Sequence, residues 1–327
     1  MFSISPFIMM LAYLLDLVIG DPVWLPHPVR MIGKTILKVE TLLRRYAKTP
    51  FAQKLAGIVL VIIIVLPASI ITAFITSLVY HLHNKSLIVM CNILLVYLIS
   101  ATIAGKELIN EGKKVIGAVK DGKLDTARSR LSRLVARDTE TLSQRKILMA
   151  TIETLSENLS DGIIAPMFYL AMGGLPFAIG YKAINTLDSM VGYKNERYIH
   201  FGHASARIDD IANFIPARIT GMLIVITSMI VYGWSTAVNA FRTMLHDGKK
   251  HPSPNAGIPE SAIAGALGVM LGGTSAYNGI SVEKPYIGTD TNNDYLLQSG
   301  KAISIVRFAY FIGFCITTAG LFIRKLL

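Results

Sequence analysis

The chain has 327 residues, of which 52% are hydrophobic and only 16% charged, and its mean hydropathy is +0.51. Soluble domains carry about a quarter charged residues, so this balance excludes an ordinary soluble protein and points to the membrane class. The net charge of +11 does not point to nucleic acid, because it lies beside apolar runs and forms no aromatic-interleaved basic module. Only Cys91 and Cys315 are available, which excludes a disulfide or cysteine-metal framework.

Ser3–Ile19 reads as a first helix. It has neither a basic leader nor a small-residue cleavage site, so it is expected to stay in the mature protein. A Pro-rich polar loop follows, then a basic amphipathic stretch, Met31–Lys54. Leu55–Tyr80 and Leu87–Gly105 are charge-free and reach about the 20 residues that cross a hydrocarbon layer. Residues 105–162 are polar with a helical pattern and are expected to lie mostly outside the membrane. Within them Asp125–Ala150 reads as one amphipathic helix, with Leu131, Leu134, Val135, Leu142 and Leu148 on its apolar side. Ile163–Tyr181 is apolar but is interrupted by Met172-Gly-Gly-Leu-Pro176, which breaks a helix. Ile219–Phe241 is a further span. Ser261–Val282 holds five glycines and is expected to be a half-span, re-entrant or tightly packed inner helix. Phe308–Ile323 closes the series and reaches back to Ile303 if Arg307 snorkels.

Seven Lys/Arg in 21–54 and eleven in 106–161 flank these spans, the positive-inside pattern. A re-entrant hairpin at 163–184 then places 185–214 on the same side and is the preferred topology. The expected fold is therefore all-α: one polytopic helical membrane domain over 1–327, with re-entrant or broken helices and amphipathic surface helices, in the cell membrane.

Four stretches are denser in polar residues than anchoring requires. In Asp16–Arg30 an acid ends an apolar helix, which calls for a partner or a solvated cavity; a rigid proline turn with His27 packed against it is the alternative. Next come Arg137-Asp-Thr139 and the helix carrying Glu153, Glu157 and Asp161. At i, i+4 spacing these three carboxylates share a face, which a divalent cation or a cationic side chain would make tolerable; a solvated face is the plain reading. The third stretch places Lys182, Asn185 and Asp188, then Asp209, Asp210, Asn213 and Arg218, at helical spacing. Such a set suits a phosphate with its Mg²⁺, or a salt-bridged helix pair. The fourth, His251-Pro-Ser-Pro-Asn255 before a Gly-rich segment and Lys284, offers Ser253, Asn255 and helix-start N–H groups to an anion. No standard nucleotide-binding glycine motif occurs.

Taken in order, these blocks resemble the CobD/CbiB family of cobalamin-biosynthesis membrane proteins, the adenosylcobinamide-phosphate synthases. The matching segments are Gly20–Val29, Arg137–Thr139, Glu157–Gly162 with Pro166, Tyr181–Met190, Asp209-Asp210 with Asn213 and Pro216–Arg218, and His251–Gly257 through Leu271–Gly273. The resemblance implies an ATP-dependent amide ligase that joins a propionate of adenosylcobyric acid to aminopropanol phosphate or a related aminoalcohol phosphate. Its partners would be these substrates and membrane lipids, with a homo-oligomer or contact with other late cobalamin-pathway enzymes left open. On this reading Glu153, Glu157, Asp161, Asp188, Asp209 and Asp210 supply Mg²⁺ ligands or a base. Arg137, Lys182, Arg218 and His251, with Ser253, meet phosphates, while His27 and Asn255 orient the substrate. All four stretches are expected to meet in one pocket at the cytoplasmic face. A Mg²⁺-dependent prenyl or CDP-alcohol transferase and a transporter are the competing readings. Asp161-Gly-Ile-Ile-Ala-Pro166 lacks the arginine that the transferase motif wants, whereas broken helices favour a transporter.

Overall fold

In the computed structural model, residues 4–22, 24–277 and 279–326 are described; Ser3, at the expected start of the first helix, and Val23, in the Pro-rich block, lie outside them. The chain runs through α1 (Pro6–Val18), α2 (Pro28–Tyr46), α3 (Pro50–His81), α4 (Lys85–Ser100), α5 (Gly105–Lys120), α6 (Leu124–Leu131) and α7 (Gln144–Leu159). A π-helical turn, Ser160–Ile164, leads into α8 (Ala165–Gly173), α9 (Leu175–Val191), α10 (His203–Ala212), α11 (Phe214–Tyr232), α12 (Trp234–Asp247) and α13 (Gly257–Leu267). A hairpin of β1 (Leu271–Tyr277) and β2 (Ile280–Ile287) precedes α14 (Tyr295–Leu326). Among the described residues, four helical segments are long and apolar enough to cross a membrane: Pro50–Val79, Lys85–Lys120, Phe214–Tyr232 and Tyr295–Arg324. The protein is a polytopic helical membrane protein.

The helix starts follow their sequence. Pro6, Pro28 and Pro50 each open a helix where a missing N–H costs nothing. Ser5, Thr49, Asn84 and Ser143 cap α1, α3, α4 and α7 through their side-chain oxygens.

Three expectations change. Asp125–Ala150 is two helices, because the chain leaves helical geometry after Ser132. Arg128 there donates to the Leu142 carbonyl (3.0 and 2.9 Å), and the Asp138 amide donates to the Ala276 carbonyl (2.8 Å). The apolar run 219–241 is broken by Gly233, whose φ of 91° ends α11 and starts α12. Hydropathy could not register that break. The Gly-rich stretch 261–282 is helical only to Leu267; Gly268 (φ 64°) caps α13, and Gly272 and Gly273 (φ 91° and 77°) belong to an antiparallel hairpin. A Cβ on Gly272 would stand 2.3 Å from the Pro285 carbonyl oxygen, so a strand with a close backbone approach, not an inner helix, explains that glycine. The break at Met172–Pro176 is as expected: α8 and α9 meet at Gly174, with φ 72°.

The chain divides into two compact units. Unit 1 comprises 1–104, 165–213 and 314–327. Its core is built by α2, α3 and α9 around Ile36, Leu60, Ile64, Leu187, Val191 and Phe201. Arg44 lies 4.2 Å above the Phe201 ring and shares the buried Glu40 with Arg197, at 2.9 and 3.0 Å. Tyr13 stacks on Phe314 with ring centroids 4.0 Å apart. Arg324 donates to the Ala171 and Met172 carbonyls, satisfying the C-terminal end of α8. Unit 2 comprises 105–164 and 214–313. In it α11, α12 and α13 pack together, α5 and α6 lie with α7, and α7 touches β1.

Candidate functional site

The expected site residues fall into two groups, one inside each unit.

In unit 1, α9 presents Lys182, Asn185 and Asp188 on successive turns, and α10 presents Asp209 and Asp210. Asp209 is the centre of the group and is buried. The side-chain amide of Asn213 donates to its Oδ2 at 3.0 Å and that of Asn185 to its Oδ1 at 3.4 Å. The Tyr181 hydroxyl donates in turn to Asn213 Oδ1 at 2.8 Å, and its ring stacks on Tyr169 at 5.0 Å. Burial and the nearby charge of Asp188 push the Asp209 carboxyl up to about 7, against the pull of the two amides. Such a group is poised to take a proton or a cation. His27 stands in a different network: its Nε2 is 3.1 Å from Asp21 Oδ1, in the Pro-rich loop. Arg30 clamps that loop through the Pro22 and Leu25 carbonyls at 2.9 and 2.7 Å.

In unit 2 the group forms around Glu153, buried on α7. Its Oε2 receives the Arg137 guanidinium and its Oε1 the Gly272 amide at 2.8 Å. Arg137 also donates to the Ser275 hydroxyl at 3.3 Å, so both members of the ion pair bond to β1 and tie α7 and the α6–α7 connection to the hairpin. Glu157, one turn on, reaches solvent although protein walls it in. Glu260, at the start of α13, is buried. Its carboxyl is pushed well above the usual range by burial and by the negative charges of Glu153 and Glu157. Burial likewise raises Glu157, against Lys284 and with Glu153. Lys284 on β2 completes the group. Burial works against its charge, but Tyr277 and the carboxylates of Glu260 and Glu153 outweigh that and raise its pKa. Lys284 Nζ lies 6.0 Å from the Tyr277 ring centroid.

His251 closes this group. Its Nε2 is 3.9 Å from Glu260 Oε2, and its Nδ1 accepts from the Ser253 amide at 3.0 Å. Burial, then the charge of Lys284, lowers it to about 4. It is therefore neutral near pH 7 and offers a phosphate a hydrogen bond, not a charge. Ser253 Oγ accepts from the Asn255 and Ala256 amides at 3.3 and 3.2 Å. The turn before α13 is thus capped from within. Buried Asn255 accepts from Arg218 Nη1 at 3.2 Å.

A metal fits one group better than the other. Among the described residues no set of three or more His, Cys, Asp or Glu side chains is arranged to hold a metal ion. The expected stack of Glu153, Glu157 and Asp161 is not three open carboxylates: both oxygens of Glu153 are engaged, and Asp161 lies in the π-helical turn. Asp188 and Asp209, whose charges repel, match the one or two carboxylates that Mg²⁺ takes when other oxygen ligands complete its shell.

Glu260, Lys284 and Tyr277 received no role from the sequence. The signal was available for Glu260, an acid set directly before a charge-free run, as Asp161 is. Nothing local marks Lys284, whose importance comes from hairpin register: Gly273 faces it across the strands.

The family model described as CobD/Cbib protein matches residues 9–306. The cobalamin biosynthesis protein CobD of Clostridium tetani is 46% identical over 278 residues, covering 85% of each chain. That of Geobacter metallireducens is 47% identical over 284 residues, 86% of each. That of Leptospira interrogans is 40% identical over 308 residues, covering 92% of this chain and 95% of its own. No solved structure matches.

Proposed function

The chain belongs to the CobD/CbiB family of cobalamin-biosynthesis proteins, and from that premise we propose that it is an ATP-dependent amide ligase. It joins a propionate of adenosylcobyric acid to the amine of aminopropanol phosphate, giving adenosylcobinamide phosphate, with its site on the cytoplasmic face.

The observation that carries this reading is the group in unit 2, where two cations, Arg137 and Lys284, stand among three carboxylates and a neutral histidine. Amide formation needs these elements. A carboxylate is a poor electrophile, so one of its oxygens attacks the γ-phosphorus of ATP and ADP leaves. The amine, freed of its proton, then attacks the acyl carbon and phosphate departs. One C–N bond forms, one P–O bond of ATP breaks, and a proton is released. Arg137 and Lys284 hold phosphate oxygens and meet the negative charge that grows on them. Glu260 accepts the proton of the ammonium, because its raised pKa makes it a stronger base than an ordinary carboxylate. His251, unprotonated, orients the amine or a phosphate by hydrogen bonding. Mg²⁺ that accompanies ATP would supply charge neutralisation on the phosphates; within unit 1, Asp188 with Asp209 are the residues that would hold a Mg²⁺ ion.

The test is mass spectrometry of cobyric acid incubated with purified protein, ATP, Mg²⁺ and aminopropanol phosphate. The corrinoid should gain the mass of the amine less water, with ADP and phosphate appearing only when both substrates are present. An unchanged corrinoid mass from folded protein overturns the reading.

A further inference from the structure

In unit 2, α11 and α12 form a helical hairpin whose bend is Gly233. The 19 residues of α11 span about 28 Å at 1.5 Å per residue, close to the thickness of the hydrocarbon layer. At the bend stand Tyr232 and Trp234, the latter 73% exposed, the residue types that settle at a membrane interface. The return of α12 carries the chain back toward the other end of α11, where Arg218 and Lys249 line one groove of about 600 Å³. Met222, Phe241, Met244 and Leu245 form its apolar wall, and Met222, Phe241 and Leu245 are exposed.

The two cations at this groove are available. Arg218 stands 3.5 Å over the Phe214 ring and makes its two bonds, to the Phe214 carbonyl (2.7 Å) and Asn255 Oδ1 (3.2 Å), through Nη1 alone. Its other N–H groups make no protein bond among the described residues. Lys249 is exposed and, among the described residues, makes no ion pair, whereas its neighbour Lys250 pairs with Asp247 at 2.5 Å. An apolar trough with a cationic rim at the end of a membrane span has the chemistry of one ligand class. We propose that this groove binds an anionic phospholipid, with the headgroup phosphate between Arg218 and Lys249 and an acyl chain along Met222, Phe241 and Leu245. His251 of the ligase group also borders this groove, but the lipid assignment rests on Arg218, Lys249 and the apolar wall, to which the proposed ligase reaction gives no role. A free phosphate would use the rim but gain nothing from the wall, and a zwitterionic lipid would use the wall but bring its own cation to the rim.

Native mass spectrometry of delipidated protein in detergent tests this with phosphatidylglycerol, phosphatidylcholine and inorganic phosphate as probes. Phosphatidylglycerol should be retained about tenfold better than phosphatidylcholine, since each basic residue at such a surface contributes severalfold. Lys249→Glu should remove that preference, Lys249→Arg should keep it, and Leu245→Asp should weaken both lipids. Inorganic phosphate should not displace the lipid. Equal retention of the two lipids by the unaltered protein, or a preference untouched by Lys249→Glu, overturns the proposal. Displacement of the lipid by cobyric acid would assign the groove to substrate and overturn it as well.

Discussion

Each unit buries a carboxylate at the centre of its polar group, and the two are satisfied by different means. Glu153 in unit 2 meets a guanidinium and a backbone amide, so both its oxygens are engaged. Asp209 in unit 1 meets two neutral amides and the repulsion of Asp188 and Asp210. A charge compensated by a charge fixes structure; a charge compensated by dipoles stays responsive to protons and cations. The comparison assigns Glu153 to positioning Arg137 and the hairpin. It leaves proton exchange in unit 2 to Glu260 and Glu157, while in unit 1 the central residue itself titrates.

Breaking the ion pair should give the largest effect. Arg137→Ala leaves Glu153 buried without its counter-charge, which costs about 3–5 kcal/mol. The double variant Arg137→Met, Glu153→Met removes both charges and should lose less, chiefly the acceptor of the Gly272 amide. Thermal unfolding in detergent reads both. Equal losses in the single and double variants would show that the pair does not organise this region. Lys284→Ala separates chemistry from folding. Its ammonium sits on a strand with exposed neighbours, so stability should hold while amide formation falls by about 10²–10³-fold, the scale of one lost electrostatic donor. A loss confined to stability would remove Lys284 from the site.

The pH dependence should then tell the units apart. His251 is held below its ordinary value of 6.5, at about 4. Between these values the unfolded chain binds a proton that the folded one refuses, so stability falls as pH drops from about 6.5 toward 4. Asp209 behaves oppositely. Its folded value of about 7 exceeds the ordinary 3.8, so the folded chain holds the extra proton, and stability falls as pH rises through that window and levels off above 7. The two windows overlap with opposite sign, so in unfolding curves of the unaltered protein with EDTA they largely cancel, and each shows when the other is removed. His251→Gln should uncover the alkaline limb, to which the raised carboxyls of Glu260 and Glu157 also contribute. Asp209→Asn should uncover the acid limb. Adding Mg²⁺ should raise stability above pH 7 in the unaltered protein only. A Mg²⁺ effect of equal size in Asp209→Asn would detach the cation from this group.

Much of the architecture was legible because membrane spans declare themselves by length and lack of charge. The breaks were less so. Gly233 and the pair Gly272-Gly273 interrupt stretches of uniform hydropathy, and the backbone, not the composition, decides whether a glycine bends, ends or pairs a segment. The Met172–Pro176 break was readable because proline adds a steric signal of its own. For the polar groups, sequence found residues whose spacing along one helix announced them, such as Lys182, Asn185 and Asp188. It gave no role to Lys284, which faces its partners only through hairpin register, nor could it see that Glu153 would be saturated by Arg137, 16 positions earlier.

The smallest effect, and the most specific, concerns Tyr181. Its hydroxyl donates to Asn213 Oδ1 at 2.8 Å, and the Asn213 amide donates to Asp209 Oδ2 at 3.0 Å, a two-step relay within unit 1. Tyr181→Phe keeps the ring stacked on Tyr169 but leaves a buried acceptor on Asn213 unfilled, at about 1 kcal/mol. With its oxygen released, the Asn213 amide is free to turn and bonds Asp209 less well. Since that bond lowers the Asp209 pKa, losing it moves the alkaline limb to higher pH while the His251 limb stays in place. A shift of both limbs, or of neither, would mean that the tyrosine only packs and that the pair of asparagines alone sets the titration of Asp209.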